Sequence, residues 1–179
     1  MTSTPFPAGR KDPLLVAAKI VAVFMLVMIG IGIGALIFAT PVVLFKQAEV
    51  LAELAKQGVT GPVTQGYWAI VALMVMALVP LGLTMWFIRL LIQLIDSTAS
   101  NDPFTFDNAA RLARMGWLSL AIQLCGVPLG AVALLIKGDD LDLDIGFSGS
   151  GLVLTLVLFI LSRIFRHGAA MREELEGTV

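Results

Sequence analysis

Four apolar runs, each long enough to cross a lipid bilayer, constrain the fold of this chain more than any other feature. The first run, 14–45, carries Lys19 as its only charge, and the others cover about 67–95, 115–136 and 147–165. A membrane-spanning helix needs roughly 20 consecutive apolar residues. The first run is about twice as long as the apolar core of a secretory signal and has no small-residue cleavage site close behind it, so we interpret it as a retained span.

The composition requires a bilayer as part of the solvent. Of 179 residues, 58% are hydrophobic and 14% are charged, whereas soluble domains average about 45–50% apolar and about 25% charged residues. A soluble fold of this size could not bury so much apolar surface. We therefore expect an all-α membrane protein with four transmembrane helices, TM1 to TM4, in one domain over 14–166, with tails at 1–13 and 167–179.

The distribution of charge predicts the orientation of the spans. If the two tails and the connector 96–114 share one side, nine of the 12 Lys and Arg residues fall on or near that side. The other side collects Lys46, Lys56 and Lys137. Because basic residues concentrate on the cytoplasmic side of membrane proteins, we expect both termini in the cytoplasm.

The connector combines turn residues, a helix start and positive charge. Asn101, Asp102 and Pro103 are typical of a turn, and Thr105 is placed to cap a short cytoplasmic helix that leads directly into TM3. Phe104 is a large apolar side chain within this turn. The sequence leaves open whether Phe104 packs inward on the helix ends or outward on a partner.

Two pairs of glycines, each four residues apart, predict close helix packing. Gly30 and Gly34 lie in TM1, and Gly126 and Gly130 lie in TM3. This spacing lets another helix backbone approach closely in lipid. The partner helix could belong to the same chain, to a second copy or to a larger membrane complex.

Segment 46–57 has an apolar face of mostly alanine and predicts either an extension of TM1 or a short amphipathic helix on the bilayer surface. Tyr67 and Trp68 open TM2 as an aromatic pair typical of a membrane interface. Near the N-terminal end of TM1, Lys19 is expected to extend toward the lipid headgroups.

The residues expected of common catalytic and metal sites are missing from the sequence. There is one histidine, His167, and one cysteine, Cys125, so an internal disulfide and a histidine cluster are excluded. Ser162 and His167 are five residues apart and do not share a helix face. The alternating Asp140, Asp142 and Asp144 lack the glycine and glutamate of a calcium loop. We predict no enzyme, cofactor, metal site or direct contact with nucleic acid.

Residues of the connector and of the C-terminus resemble a known family. The connector pattern is similar to the signature of the bacterial "domain of unknown function 2975" family at Pro103-Phe104, Asn108, Arg111-Leu112 and Gly116-Trp117-Leu118. The chain also ends as that family does, at Phe165-Arg166, Gly168 and 174–179. One departure is Ser162-Arg163, where the pattern has a small residue and an acid. The resemblance implies a small four-span inner-membrane protein without an established activity, often associated with a helix-turn-helix regulator.

The leading hypothesis is a non-enzymatic membrane regulator or accessory subunit. It would dock a cytoplasmic partner through the C-tail and five side chains, namely Phe104, Asn108, Arg111, Arg114 and Arg166. One alternative is a small transporter or channel, alone or as a homo-oligomer, with a path lined by Thr84, Gln93, Gln123 and Thr155. Another is a structural subunit of a larger membrane assembly.

Overall fold

The computed structural model describes residues 13–56, 63–99, 103–137 and 148–176, and every regular element in these ranges is an α-helix. The helices are α1 (Pro13–Phe45), α2 (Gln47–Lys56), α3 (Val63–Ala99), α4 (Phe106–Lys137) and α5 (Gly149–Glu176). The interpretations of the tail 1–12, the turn 100–102, the acidic loop 139–144 and the last residues 177–179 concern residues outside the described ranges.

Four of the helices are long and apolar enough to cross a membrane, over Pro13–Phe45, Thr64–Thr98, Phe106–Leu134 and Gly149–Leu175. The predicted all-α protein with four spanning helices is therefore confirmed, and the protein is a multi-pass membrane protein. Large apolar side chains such as Phe24 and Phe38 are exposed on α1, where Ala22 is the one buried residue. Apolar side chains of this size are more stable in contact with lipid tails than in contact with water.

The spanning helices form an open row in the order α1, α3, α4, α5. α3 packs against α1 on one side and α4 on the other, and α5 packs against α4. Within the described ranges, no Cα atom of α1 comes within 8 Å of α4 or α5, and none of α3 comes within 8 Å of α5. The outer helices α1 and α5 consequently keep long faces uncovered by this chain.

The best-packed part of the row lies where α3, α4 and α5 meet. Its buried members are Leu90 from α3, Leu112, Met115 and Leu118 from α4, and Leu158 from α5. Partly buried leucine and phenylalanine side chains of α3 and α5 pack around this cluster. In lipid, such contacts stabilise the fold mainly through dispersion forces, because the lipid tails are as apolar as leucine.

α2 is a separate helix that packs on the start of α3. Leu54 is buried together with Tyr67 and Val71, and the Tyr67 hydroxyl donates to the carbonyl oxygen of Val43 at 3.3 Å. Of the predicted interfacial aromatic pair, Tyr67 is therefore buried under α2, while Trp68 is exposed. At the turn before α2, a hydrogen bond from Lys46 to Glu49 raises the pKa of the lysine.

An ion pair joins α1 to α3 near the C-terminal end of α3. Lys19 Nζ pairs with Asp96 Oδ1, and both side chains are about half exposed. Lys19 thus contacts a carboxylate of the same chain, and does not only extend toward the headgroups as the sequence predicted. The pair places the N-terminal part of α1 beside the connector, at what we call the connector end of the protein.

Candidate functional site

The connector begins α4 with a capped and ordered turn. The backbone N–H of Thr105 donates to the carbonyl oxygen of Pro103 at 3.2 Å. The Thr105 hydroxyl oxygen accepts a hydrogen bond from the backbone N–H of Asn108 at 3.2 Å, as an N-cap residue does. The predicted cap is present, and helix α4 starts directly after it at Phe106 and continues into the apolar span without a break.

Asn108 is the centre of this turn, and its side chain is fully buried. The amide nitrogen Nδ2 donates to the carbonyl oxygen of Pro103 at 2.9 Å. The amide oxygen Oδ1 accepts from Arg111 Nη1 at 2.8 Å and lies 2.8 Å from the hydroxyl oxygen of Ser97, in the last turn of α3. One amide thereby ties the end of α3, the turn and the first turn of α4 together, and we call these four residues, Ser97, Pro103, Asn108 and Arg111, the connector clamp.

Phe104 packs inward on the C-terminal part of α5. Its ring centroid lies 5.0 Å from that of Phe165, with the two planes tilted by 41°. It also covers Gly168, where an added Cβ atom would be 2.9 Å from the ring carbon Cδ1. Phe104 nevertheless keeps 45% of its surface exposed, so its outer edge is accessible. The sequence left open whether Phe104 packs inward or outward, and the inner edge of the ring packs on a helix of the same chain.

A buried hydroxyl also connects α5 to α4 at the connector end. Ser162 Oγ donates to the carbonyl oxygen of Ala109 at 2.8 Å, and the Ser162 side chain is buried. The bond lies one residue after Asn108 in α4 and thus adjoins the connector clamp. The neighbouring Arg163, which stands where the resemblance led us to expect an acid, is exposed.

The five side chains predicted to dock a partner differ in their surroundings. Asn108 is buried, and Arg111 is half-buried and bonded to it. Arg114 and Arg166 are exposed, and Phe104 is exposed on one edge. Two of the five therefore hold the connector in place, and three present surface to the surroundings.

Of the two predicted glycine pairs, the pair in α1 makes no tight contact with the described part of the chain. A Cβ atom at Gly30 would meet only Met85 Cε at 3.8 Å, and at Gly34 it would meet nothing within 4 Å. Gly126 and Gly130 are half-buried in α4. Between α4 and α5, by contrast, a Cβ atom at Gly116 would lie 3.1 Å from Phe159, and one at Gly151 would lie 2.7 Å from the Gln123 amide.

Two of the four polar residues predicted to line a transport path are brought together. Gln123 Nε2 donates to Thr155 Oγ1 at 3.3 Å, and Thr155 Oγ1 lies 2.9 Å from both Ser119 Oγ and the carbonyl oxygen of Gly151. The Gln123 oxygen Oε1 is buried and has no hydrogen-bond partner among the described residues. Elsewhere, the Thr84 hydroxyl donates to its own helix, to the carbonyl oxygen of Pro80, and Gln93 is exposed.

A comparison with protein families decides the relationship that the connector residues indicated. The family model described as "Protein of unknown function (DUF2975)" matches residues 44–179. The chain belongs to this family. The match includes α2 to α5 and therefore every residue of the connector clamp. No curated protein matches the chain, and no solved structure does.

In this DUF2975 member, the described residues contain no group of three or more His, Cys, Asp or Glu side chains that could hold a metal ion. His167 is exposed near the C-terminal end of α5, and Cys125 is half-buried in α4. The connector end presents guanidinium groups and an aromatic edge.

Proposed function

We propose that this protein is a non-enzymatic regulator or accessory subunit of the bacterial inner membrane that docks a cytoplasmic protein at its connector end. The observation that carries the proposal is the fully buried Asn108, which bonds to the turn, to Arg111 and to the end of α3. A connector that only joined two spans would not need a buried amide with this many partners. The clamp fixes residues 103–111 against the end of α3, and a fixed backbone is what a recognition surface requires.

Fixed geometry matters because ordering a loop on binding costs free energy. Each rotamer-rich side chain immobilised at an interface costs about 0.5–1.5 kcal/mol, and ordering a backbone adds to this cost. In this protein the turn and the first turn of α4 are ordered by Asn108, and the ring of Phe104 is held by Phe165 and Gly168. A partner therefore meets a preorganised surface.

Charge supports the cytoplasmic orientation and indicates the chemistry of the partner. Arg114 on α4 and Arg166 on α5 are exposed, and Phe104 keeps an exposed edge. Basic residues favour the cytoplasmic side, so this end and both termini are assigned to the cytoplasm. Guanidinium groups bind carboxylates in a bidentate geometry, and the partner surface should accordingly be acidic with an apolar spot for Phe104. A small helix-turn-helix regulator with such a surface is the candidate that the family resemblance implies.

The proposal is tested by co-isolation from native membranes in mild detergent. The wild type, the double variant Arg114→Gln with Arg166→Gln, and the control Arg89→Gln, an exposed arginine of α3, are compared at equal expression. We expect one cytoplasmic protein to be retained by the wild type and by the control and to be lost in the double variant. Equal recovery from all three forms, or recovery of no cytoplasmic protein by the wild type, would count against docking.

A second candidate, a structural subunit of a larger assembly, is favoured by the open row of helices. α1 has a single buried residue, and Gly32 and Gly34 face open space within this chain. A further helix could pack closely there. Replacing Gly34 with Leu would then reduce the mass of the complex extracted in mild detergent, and an unchanged mass would remove this candidate.

A further inference from the structure

A groove runs along the outer side of α5 at the connector end, and it combines an apolar floor with a cationic rim. Its volume is about 910 Å³, and Pro103 and Phe104 form one wall. Ile164, Gly168 and Met171 contribute apolar surface. The remaining lining residues, all from α5, are Arg163, His167 and Arg172.

The described residues that line the groove include no acid. Three basic side chains line it, namely Arg163, His167 and Arg172. Arg163 and His167 are four residues apart on α5 and thus project from the same side of the helix, one turn apart. An anionic group held at this rim would contact both side chains, with Arg163 offering a planar fork of donors that matches a phosphate.

The floor of the groove continues into the lipid-facing surface of α5. Val153, Val157, Ile160 and Ile164 follow one another at intervals of three and four residues and are all exposed. This spacing places them in one stripe on the helix. The stripe leads from the second turn of α5 along the helix to the groove, so an aliphatic chain can lie on it while a headgroup occupies the rim.

We propose that this groove is a binding site for an anionic phospholipid. The headgroup phosphate is held by Arg163 and His167, and an acyl chain extends over Ile164 onto the apolar stripe. Phospholipid fits better than a soluble anion or a peptide because the floor opens onto the membrane-facing stripe. Position also fits, since basic pockets between helices on the cytoplasmic side favour acidic headgroups.

The site adjoins the connector but does not depend on partner docking. Phe104 forms part of the groove wall, and the same ring is fixed against Gly168 beside the connector clamp. A bound lipid would therefore contact the turn that carries the proposed docking surface. Lipid binding can be measured with the purified protein alone, so its failure and the failure of docking are distinguishable.

The test measures binding of dioleoyl phosphatidylglycerol to the full-length protein in a neutral detergent by native mass spectrometry. Dioleoyl phosphatidylcholine serves as the lipid control, because it has the same chains and no net charge. We expect phosphatidylglycerol to bind more tightly than phosphatidylcholine. We expect the variant Arg163→Gln with His167→Gln to weaken the binding of phosphatidylglycerol about fivefold or more, because one arginine near an acidic headgroup contributes roughly 1 kcal/mol and about 1.4 kcal/mol corresponds to a tenfold change. The matched control Arg89→Gln should leave the affinity unchanged.

A second variant tests whether the apolar floor contributes to binding. A soluble probe tests whether the site binds a phospholipid and not a free anion. Ile164→Gln should weaken the binding of phosphatidylglycerol while leaving the side chains of Arg163 and His167 in place. Glycerol 3-phosphate, which carries the headgroup chemistry without acyl chains, should not compete at millimolar concentration. Equal binding of the two lipids, an unchanged affinity of the Arg163/His167 variant, or full competition by glycerol 3-phosphate would overturn the proposal.

Discussion

Phe104 lies so close to Gly168 that a Cβ atom at position 168 would be 2.9 Å from the ring carbon Cδ1. The contact fixes the turn before α4 against α5. Because neither the ring, packed on Phe165, nor the helix backbone can move freely, we expect Gly168→Ala to lower the free energy of unfolding by roughly 1–3 kcal/mol. Thermal denaturation of the protein in detergent measures this effect.

Gly82→Ala is the matched control, because a Cβ atom at this exposed position of α3 would meet nothing within 4 Å. There the higher helix propensity of alanine should leave stability equal or slightly higher. In the background Phe104→Ala, the cost of Gly168→Ala should largely disappear, since the clashing ring is gone. A cost that stays the same without the ring would show that Phe104 is not the obstacle.

A second prediction concerns Asn108. Asn108→Ala removes the donor to the Pro103 carbonyl and the acceptor for Arg111 and Ser97. Since buried groups lose their partners, we expect a loss of roughly 1–3 kcal/mol in stability and much faster hydrogen exchange in the segment 103–112. Hydrogen exchange read by mass spectrometry locates the effect.

The exposed Arg114 provides the comparison for Asn108. Arg114→Ala should change the free energy of unfolding by no more than about 0.5 kcal/mol, because surface substitutions away from packed features have small effects. It should also leave the rate of hydrogen exchange in segment 103–112 unchanged. If Asn108→Ala left exchange in this segment as slow as in the wild type, the connector clamp would not be what orders the turn.

The sequence was sufficient for the architecture because hydropathy reports spans directly. The number of spanning helices, the helix that runs from the connector into the third span and the Thr105 cap all follow from local patterns. Each of these features depends only on residues that are close together in the sequence.

Contacts between distant segments could not be read in the same way. Lys19 and Asp96 are 77 residues apart, and their pairing depends on how α1 and α3 align. The predicted packing glycines were chosen by spacing, whereas the α4–α5 register determines the contacts of Gly116 and Gly151. The turn before α4 places Phe104 on Gly168. A lone glycine inside a helix lowers helix stability, so its presence suggests that a neighbouring group leaves no room for a side chain. This is the signal in the sequence that could have indicated the contact at Gly168.

A third prediction concerns the buried polar group between α4 and α5. Gln123 makes one long hydrogen bond of 3.3 Å and has a buried acceptor without a partner. Replacing it with the similarly shaped methionine should therefore change the free energy of unfolding by less than about 1 kcal/mol, or increase it. Thr155→Val should cost more, because Thr155 contacts Gln123, Ser119 and the Gly151 carbonyl. Thermal denaturation that ranks the two variants in the opposite order would contradict this account.

The orientation is testable with single cysteines in a Cys125→Ala background. Asp107 and Ser150 are both exposed and lie at the starts of α4 and α5, which are antiparallel, so the two residues lie at opposite ends of this helix pair. With the connector end in the cytoplasm, a membrane-impermeant maleimide should label Ser150→Cys in intact spheroplasts and Asp107→Cys only after permeabilisation. The reverse pattern of labelling would place the termini outside the cytoplasm.

The most direct measurement of partner docking is photo-crosslinking in living cells. A photoreactive amino acid is placed at Arg114 or at Arg166, with Val153 on the lipid-facing stripe of α5 as the control position. The account predicts that the two connector-end positions form an adduct with the same cytoplasmic protein and that position 153 does not. Adducts from 114 and 166 only with lipid or with further copies of this chain would contradict the docking of a cytoplasmic partner.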